Sequence, residues 1–259
     1  MADIAAIAAR LDAAASEARA IAQITGQEGE LSLADAYAIQ RAAIDHRLAR
    51  GATLVGVKMG FTSEAKMAQM GLKDQIWGRL TSDMVVANGG TIDRARFIHP
   101  RIEPEVAVRL KAPLEGEVTR GEALAAVDAV AAALEIIDSR YENFRFALGD
   151  VVADNASSSA FVVGPWLPAT TDVADVAMEM RVDDVVVETG SSAAILGDPI
   201  RSLVAAARLA GAAGLTLQPG WTIMLGGATA AAAMGAAQAV SLDAGHLGRV
   251  GFTIAGGEA

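Results

Sequence analysis

The chain has 259 residues, 53% of them hydrophobic, and a formal net charge of −10. It can bury a large core, and its scattered acidic residues argue against nucleic acid or an anionic membrane as a partner. With no cysteine, disulfides, thiolate metal sites and cysteine nucleophiles are excluded, so any metal chemistry uses oxygen or histidine.

The N-terminal stretch MADIAAIAARLDAAASEARAIAQ is apolar in patches, but Asp3, Arg10, Asp12, Glu17 and Arg19 interrupt it. It lacks the uncharged core of a signal peptide, and a cytoplasmic location is expected. Apolar positions at helical spacing predict a helix from residue 3 to about 24. Ser32 and Asp35 form a capping-box-like start for a second helix, which runs to Arg50 and is closed by Gly51. A boundary near Gly51 separates a helical N-terminal portion, 1–51, from a mixed β-rich catalytic domain, 52–259.

TLVGVKMGF (53–61) has the β-branched, apolar character of a buried strand, interrupted by Lys58. Such a lysine either snorkels to the surface or serves as a buried cation with an adjustable pKa. Residues 62–98 hold Met67, Met70, Trp77 and Met84 without one sustained period, which predicts short strands and loops. In PRIEPEVAVRL (100–110) the two-residue period of a strand points Glu103 and Glu105 to the same face.

Thr119 and Glu122 predict a capped helix to about Ala132, followed by a strand through LEIID (134–138) that carries Glu135. The run Asp154 to Ser159 is expected to follow a strand, where it suits either a substrate pocket or an ordinary hydrogen-bonded turn. Further strand signals lie at 178–189, 221–225 and 248–254, with a helix opened by Asp198 and Pro199. Thr222 to Val240 carries no charge, but Gly226, Gly227, Gly235, Thr229 and Gln238 break it into a strand and a small-residue loop, so a buried core segment is expected rather than a membrane span. The fold class is α+β: a mixed β-sheet with a helical N-terminal portion.

Two glutamates at i and i+2 on one strand, with a third on a later strand, can converge three carboxylates on one point if the strands are neighbours. Such a set favours Mg²⁺ or Mn²⁺ over Zn²⁺ and leaves positions open for water and a bidentate substrate. The same alternation also describes the solvent face of an edge strand. Gly226 and Gly227 lack the spacing of a dinucleotide fingerprint, and His46, His99 and His246 are assigned no role.

The order and spacing of KMGFTSEAKMAQMG, IWGRLTSDM, HPRIEPEVAV, LEIIDSRYENF and VVADNASS resemble the decarboxylase and hydratase branch of the fumarylacetoacetate hydrolase superfamily, from about residue 30 to the C-terminus. Within that branch, AKMAQMG and IDSRYENF are more similar to its 2-oxo acid decarboxylases than to its hydratases. The sequence departs from the pattern at GDP (197–199), where GHP is common, and at GAAQAVSL (235–242), which lacks the usual Gly-Asp turn.

The resemblance implies a barrel-like β core, with Glu103, Glu105 and Glu135 as ligands of Mg²⁺ or Mn²⁺ and Lys58 beside a bound 2-oxo acid as electrophile or proton donor. It extends the substrate-binding set to Thr62, Ser63, Arg140, Asp154, Asn155 and Ser157, and Met67, Met70 and Trp77 become candidates for an apolar wall. The implied reaction is decarboxylation of 2-oxo-3-hexenedioate to 2-hydroxypenta-2,4-dienoate and CO2 in the meta-cleavage of aromatic compounds. The alternatives are hydration of 2-hydroxypenta-2,4-dienoate, or a non-catalytic partner subunit of such a hydratase. C–C bond hydrolysis would need an activated water, and no His–Glu pair in the N-terminal segment supplies it. The implied partners are a small 2-oxo dicarboxylic acid, a hydratase in complex and further copies of the chain.

Overall fold

Three helices lead the chain in the computed structural model, which describes residues 2–63, 67–68 and 74–256. They are α1 (Ile4–Ser16), α2 (Ile24–Glu28) and α3 (Leu33–Ala49). Helix α1 stops eight residues short of the predicted end. Ala18 turns left-handed (φ 48°), the Arg19 N–H donates back to Ala14 O at 3.0 Å, and Ile21 bridges to Tyr141 instead. Helix α3 begins as expected, with Ser32 Oγ accepting from the Asp35 N–H at 3.1 Å.

The strands that follow are β1 (Leu54–Gly60), β2 (Ile76–Thr81), β3 (Val85–Val86), β4 (Thr91–Asp93) and β5 (Arg101–Leu110). Helix α4 (Arg120–Ala125) leads into β6 (Val127–Ile137), and α5 (Leu148–Ala153) precedes β7 (Ser158–Val163) and β8 (Leu167–Pro168). The remainder comprises β9 (Ala177–Val182), β10 (Val185–Ser191), α6 (Pro199–Ala212), β11 (Thr222–Gly227), β12 (Ala232–Ala233), β13 (Ala239–Asp243) and β14 (Arg249–Ala255).

Two expectations need correction. The helix opened by Thr119 ends at Ala125, and the alanine-rich stretch after it is the central strand β6. Alanine's helix preference yields here to pairing with β5 on one edge and with β7 and β8 on the other, where small side chains fit a largely buried strand. Secondly, the run from Asp154 follows helix α5, not a strand. The 178–189 signal is a hairpin, β9 and β10, turned by Asp183 and Asp184 at φ 47° and 64°.

One sheet has the order β2-β1-β11-β5-β6-β7-β3, with β12 added on β5 and β8 on β6; a second runs β10-β9-β13-β14-β4. A single core cluster joins both sheets to α6, from Val106 and Leu134 through Met180 and Phe252 to Leu203. A smaller cluster (Ile7, Leu11, Ile39, Tyr141, Val152) packs the N-terminal helices against α5. The uncharged stretch from Thr222 forms β11, and among the described residues no helix is long and apolar enough to cross a membrane.

Candidate active site

Glu103 and Glu135 are directly opposite each other in the β5–β6 ladder, and Glu105 lies two residues further along the same face of β5. One oxygen from each of the three carboxylates falls within 4.8 Å of the others. Like charges facing across a ladder are destabilising unless something offsets them. Part of the offset is Lys58, whose Nζ is 2.9 Å from Glu135 Oε2 and donates to the Ala156 carbonyl at 3.1 Å. Ser158 Oγ donates to Glu135 Oε1 at 2.9 Å.

A bulge in β11 explains how Glu105 is held. The register against β5 shifts between Met224, paired with Ala107, and Gly227, paired with Glu105. In that bulge Gly226 adopts φ 111°, and its N–H, released from the ladder, donates to Glu105 Oε2 at 2.8 Å. A side chain at Gly226 would collide with Thr62, meeting its Oγ1 at 2.1 Å.

Burial raises the pKa of Glu105 well above the usual carboxylate range and the charge of Glu135 adds to it, while Lys58 opposes the rise. Burial also raises Glu135, again against the pull of Lys58. For Lys58 burial works against the charged form, but Glu135, Glu103 and Glu105 together outweigh it and keep the ammonium protonated.

These groups fit a hard divalent cation. Three oxygen donors converge, and Glu105 Oε1 is buried with no hydrogen-bond partner among the described residues. Three carboxylates and one ammonium carry a formal charge of −2 when all are ionised, which one divalent ion cancels.

A cavity of about 350 Å³ opens beside the glutamates, lined by Lys58, Thr62, Glu103, Ser157 and Gly227 at one end and by Phe61, Ile76, Phe144, Phe146 and Val151 elsewhere. That volume suits a small organic acid. Ser157 Oγ is buried without a hydrogen-bond partner among the described residues. Asn155, Ala156 and Ser157 are all left-handed, at φ 53°, 51° and 58°. Three consecutive non-glycine residues in that region are strained, and strain of this kind concentrates at functional sites.

The turn also sorts the sequence-derived candidates. Lys58, Thr62 and Ser157 reach the cavity with Glu103, and Glu105 and Glu135 lie fully buried beside it. Ser63 is half-buried just past Thr62 and is not among the lining residues. Arg140 and Asp154 do not line it. They form a buried ion pair facing a separate cavity beside Leu11, Arg47 and Met84, and Arg140 also donates to Ser159 Oγ at 2.7 Å. Asn155 brackets β2: its Oδ1 accepts from the Arg79 N–H at 2.7 Å and its Nδ2 donates to Arg79 O at 2.9 Å. Trp77 is core, stacked on Tyr37 at 5.5 Å. Met67 is not among the lining residues, and Met70 lies outside the described residues.

The apolar wall comes from Phe61, Ile76, Phe144, Phe146 and Val151, residues that reading the sequence had not singled out. Arg101, at the mouth, was also missed, although the alternation that found Glu103 and Glu105 reaches it one step earlier.

Comparison with known proteins agrees with this architecture. Residues 54–256 match the family model described as fumarylacetoacetate (FAA) hydrolase C-terminal. A 4-oxalocrotonate decarboxylase of Pseudomonas sp is 56% identical over 96% of this chain and 97% of its own. A 2-keto-4-pentenoate hydratase of Dechloromonas aromatica (strain RCB) is 37% identical over 85% of each. The structure of 4-oxalocrotonate decarboxylase from Pseudomonas putida G7, complexed with magnesium and adipate, superposes with a TM-score of 0.93 at 39% identity, covering 97% of both chains. The glutamate triad, the curled sheet that assembles it and these likenesses make the chain a member of the fumarylacetoacetate hydrolase family.

Proposed function

We propose that this chain is a magnesium-dependent carbon–carbon lyase that decarboxylates 2-oxo-3-hexenedioate to 2-hydroxypenta-2,4-dienoate and CO2, as a step in the catabolism of aromatic rings. The observation that carries the reading is the 56% identity to a 4-oxalocrotonate decarboxylase along nearly the whole of both chains. The residues of the cavity support it physically.

Glu103, Glu105 and Glu135 would hold Mg²⁺, with Mn²⁺ as the other hard cation that suits them. When bound, such an ion supplies Lewis-acid polarisation of a 2-oxo acid. In the reaction the C5–C6 bond breaks and C6 leaves as CO2. Its electron pair shifts through the C3–C4 alkene to the C2 oxygen, which takes up one proton to give the 2-hydroxy product. Lys58, buried and protonated, is positioned to stabilise charge gathering at that oxygen, and a fixed cation in a water-poor site acts more strongly than one in water. The aromatic and aliphatic wall lines the rest of the cavity and limits the water that reaches the C2 oxygen and the reacting chain.

The reading extends to location and assembly: a cytoplasmic enzyme that forms homo-oligomers and associates with a hydratase that consumes its product. Val185, Val186 and Val187, exposed on the edge strand β10, supply apolar surface for such contacts. Light scattering of the chain alone and mixed with a hydratase checks this.

The deciding experiment supplies 2-oxo-3-hexenedioate to metal-stripped protein with and without Mg²⁺ and follows CO2 release. Release that needs Mg²⁺ is the expected result. Water addition to 2-hydroxypenta-2,4-dienoate without CO2 release from the diacid would instead make the chain a hydratase, in line with its 37% identical relative.

A further inference from the structure

Arg101, Glu103 and Glu105 occupy one face of β5 at a two-residue spacing, and their burial grades from exposed through half-buried to fully buried. Each step along that face is about 6.6 Å. The strand thus carries a guanidinium at the cavity mouth, one step outside the carboxylate cluster on its floor.

Two observations set this arginine apart. Among the described residues no carboxylate pairs with it, whereas the other cation lining the cavity, Lys58, is engaged by Glu135 and the Ala156 carbonyl. Its guanidinium rests instead on the ring of Phe144, 4.4 Å from the centroid. That ring is placed by a second strained turn, with Asn143 and Phe144 both left-handed at φ 58° and 57°. Stacking on an aromatic face fixes a guanidinium while leaving its N–H edge free to donate. An arginine held this way in a cavity of a chain with net charge −10 is suited to an anionic group of the ligand.

We infer that Arg101 recognises the distal carboxylate of a dicarboxylic 2-oxo acid and sets the preference of this site for diacids over monoacids. The inference rests on the 2-oxo acid reading given above and adds the residue that selects the second carboxylate. It has a particular kinetic signature. In decarboxylation the distal carboxylate loses its charge as the C5–C6 electron pair moves toward the C2 oxygen, so a guanidinium paired with it favours the bound substrate over the transition state. Arg101 therefore contributes to capture and selectivity, not to the chemical step.

The test measures binding of adipate, a six-carbon dicarboxylate, and of pyruvate, a 2-oxo monoacid, to the Mg²⁺-loaded protein by calorimetry, for the wild type, Arg101→Met and Arg101→Lys. In Arg101→Met, adipate affinity is expected to fall about tenfold or more while pyruvate affinity stays within about twofold. Arg101→Lys should retain part of the adipate affinity. In steady state with 2-oxo-3-hexenedioate, KM should rise in Arg101→Met without a fall in kcat. Unchanged adipate binding, equal weakening of both acids, or a lower kcat at constant KM would each overturn the assignment. Retained pyruvate binding verifies the fold of the variant, and Arg101→Gln provides the same measurement if Arg101→Met does not fold. A wild type that binds adipate through Arg101 but releases no CO2 would sink the decarboxylase reading and leave the diacid assignment standing.

Discussion

Lys58 and Glu135 meet at 2.9 Å although strands β11 and β5 lie between their own strands in the sheet. In a flat sheet three inter-strand steps would hold them about 14 Å apart. Only a strongly curled sheet brings β1 over β6, and the candidate active site is the inside of that curl.

Replacing Lys58 with Met removes this cation from a site that would otherwise hold three carboxylates alone. CO2 release is expected to drop in kcat by about 10²- to 10³-fold, the usual scale for losing a charge-stabilising donor. Mg²⁺ binding should persist or tighten, because the ion then meets no competing ammonium. Steady-state kinetics with calorimetric Mg²⁺ titration separate the two effects, and loss of Mg²⁺ binding would contradict the assigned role.

Saturating Mg²⁺ should stabilise the wild type. At 100 times Kd, linkage gives about 2.7 kcal/mol, or roughly 5–10 °C in Tm for a chain of this size. Glu105→Gln should abolish the shift, since that residue supplies a buried oxygen with no other partner among the described residues. Thermal melts with and without Mg²⁺ give the answer directly.

Gly226→Ala tests whether the main chain helps to shape the site. The new Cβ would meet Thr62 Oγ1 at 2.1 Å in a backbone conformation that L residues rarely adopt. Relief of the collision would pull the Gly226 N–H away from Glu105. Weaker Mg²⁺ binding together with a stability loss of about 1–3 kcal/mol is expected; a melt unchanged from wild type would show the bulge to be dispensable.

The Arg140–Asp154 pair predicts a pH dependence. Burial raises Asp154 from 3.8 to about 6, with Arg140 as the largest opposing influence. Because the folded state holds this proton more tightly than the unfolded chain, the stability contribution is present at low pH and is lost as pH rises through about 6. Removing the guanidinium in Arg140→Met takes away that opposing influence and raises Asp154 further, so at high pH its carboxyl is either a stranded charge or must be held protonated against the solvent, whereas at low pH it is neutral in any case. The variant should therefore lose about 3–5 kcal/mol at pH 8 and clearly less at pH 5, as measured by denaturant unfolding at both values.

Much of the site could be read from residue order. Alternation placed Glu103 and Glu105 on one face, and family likeness added Glu135, which the structure sets opposite Glu103. The odd lysine in an apolar strand turned out to be a buried, paired cation. What escaped the sequence depended on backbone reversals: nothing in VVADNASSS signals three left-handed residues in a row, so Arg140 and Asp154 were assigned to the cavity they turn away from. The alanine-rich β6 escaped for another reason, because its state is decided by neighbours on both edges and not by its own propensity.

The left-handed turn at Asn155 to Ser157 is a partition between two chambers. On one side it offers the Ala156 carbonyl to Lys58; on the other, Asp154 and Asn155 line the cavity against α1 and α3. The same short stretch of main chain thus supplies the carbonyl that receives the ammonium and the wall that faces the N-terminal helices. Leu11 and Ile44 line that second chamber, one turn of backbone away from the carbonyl that fixes Lys58.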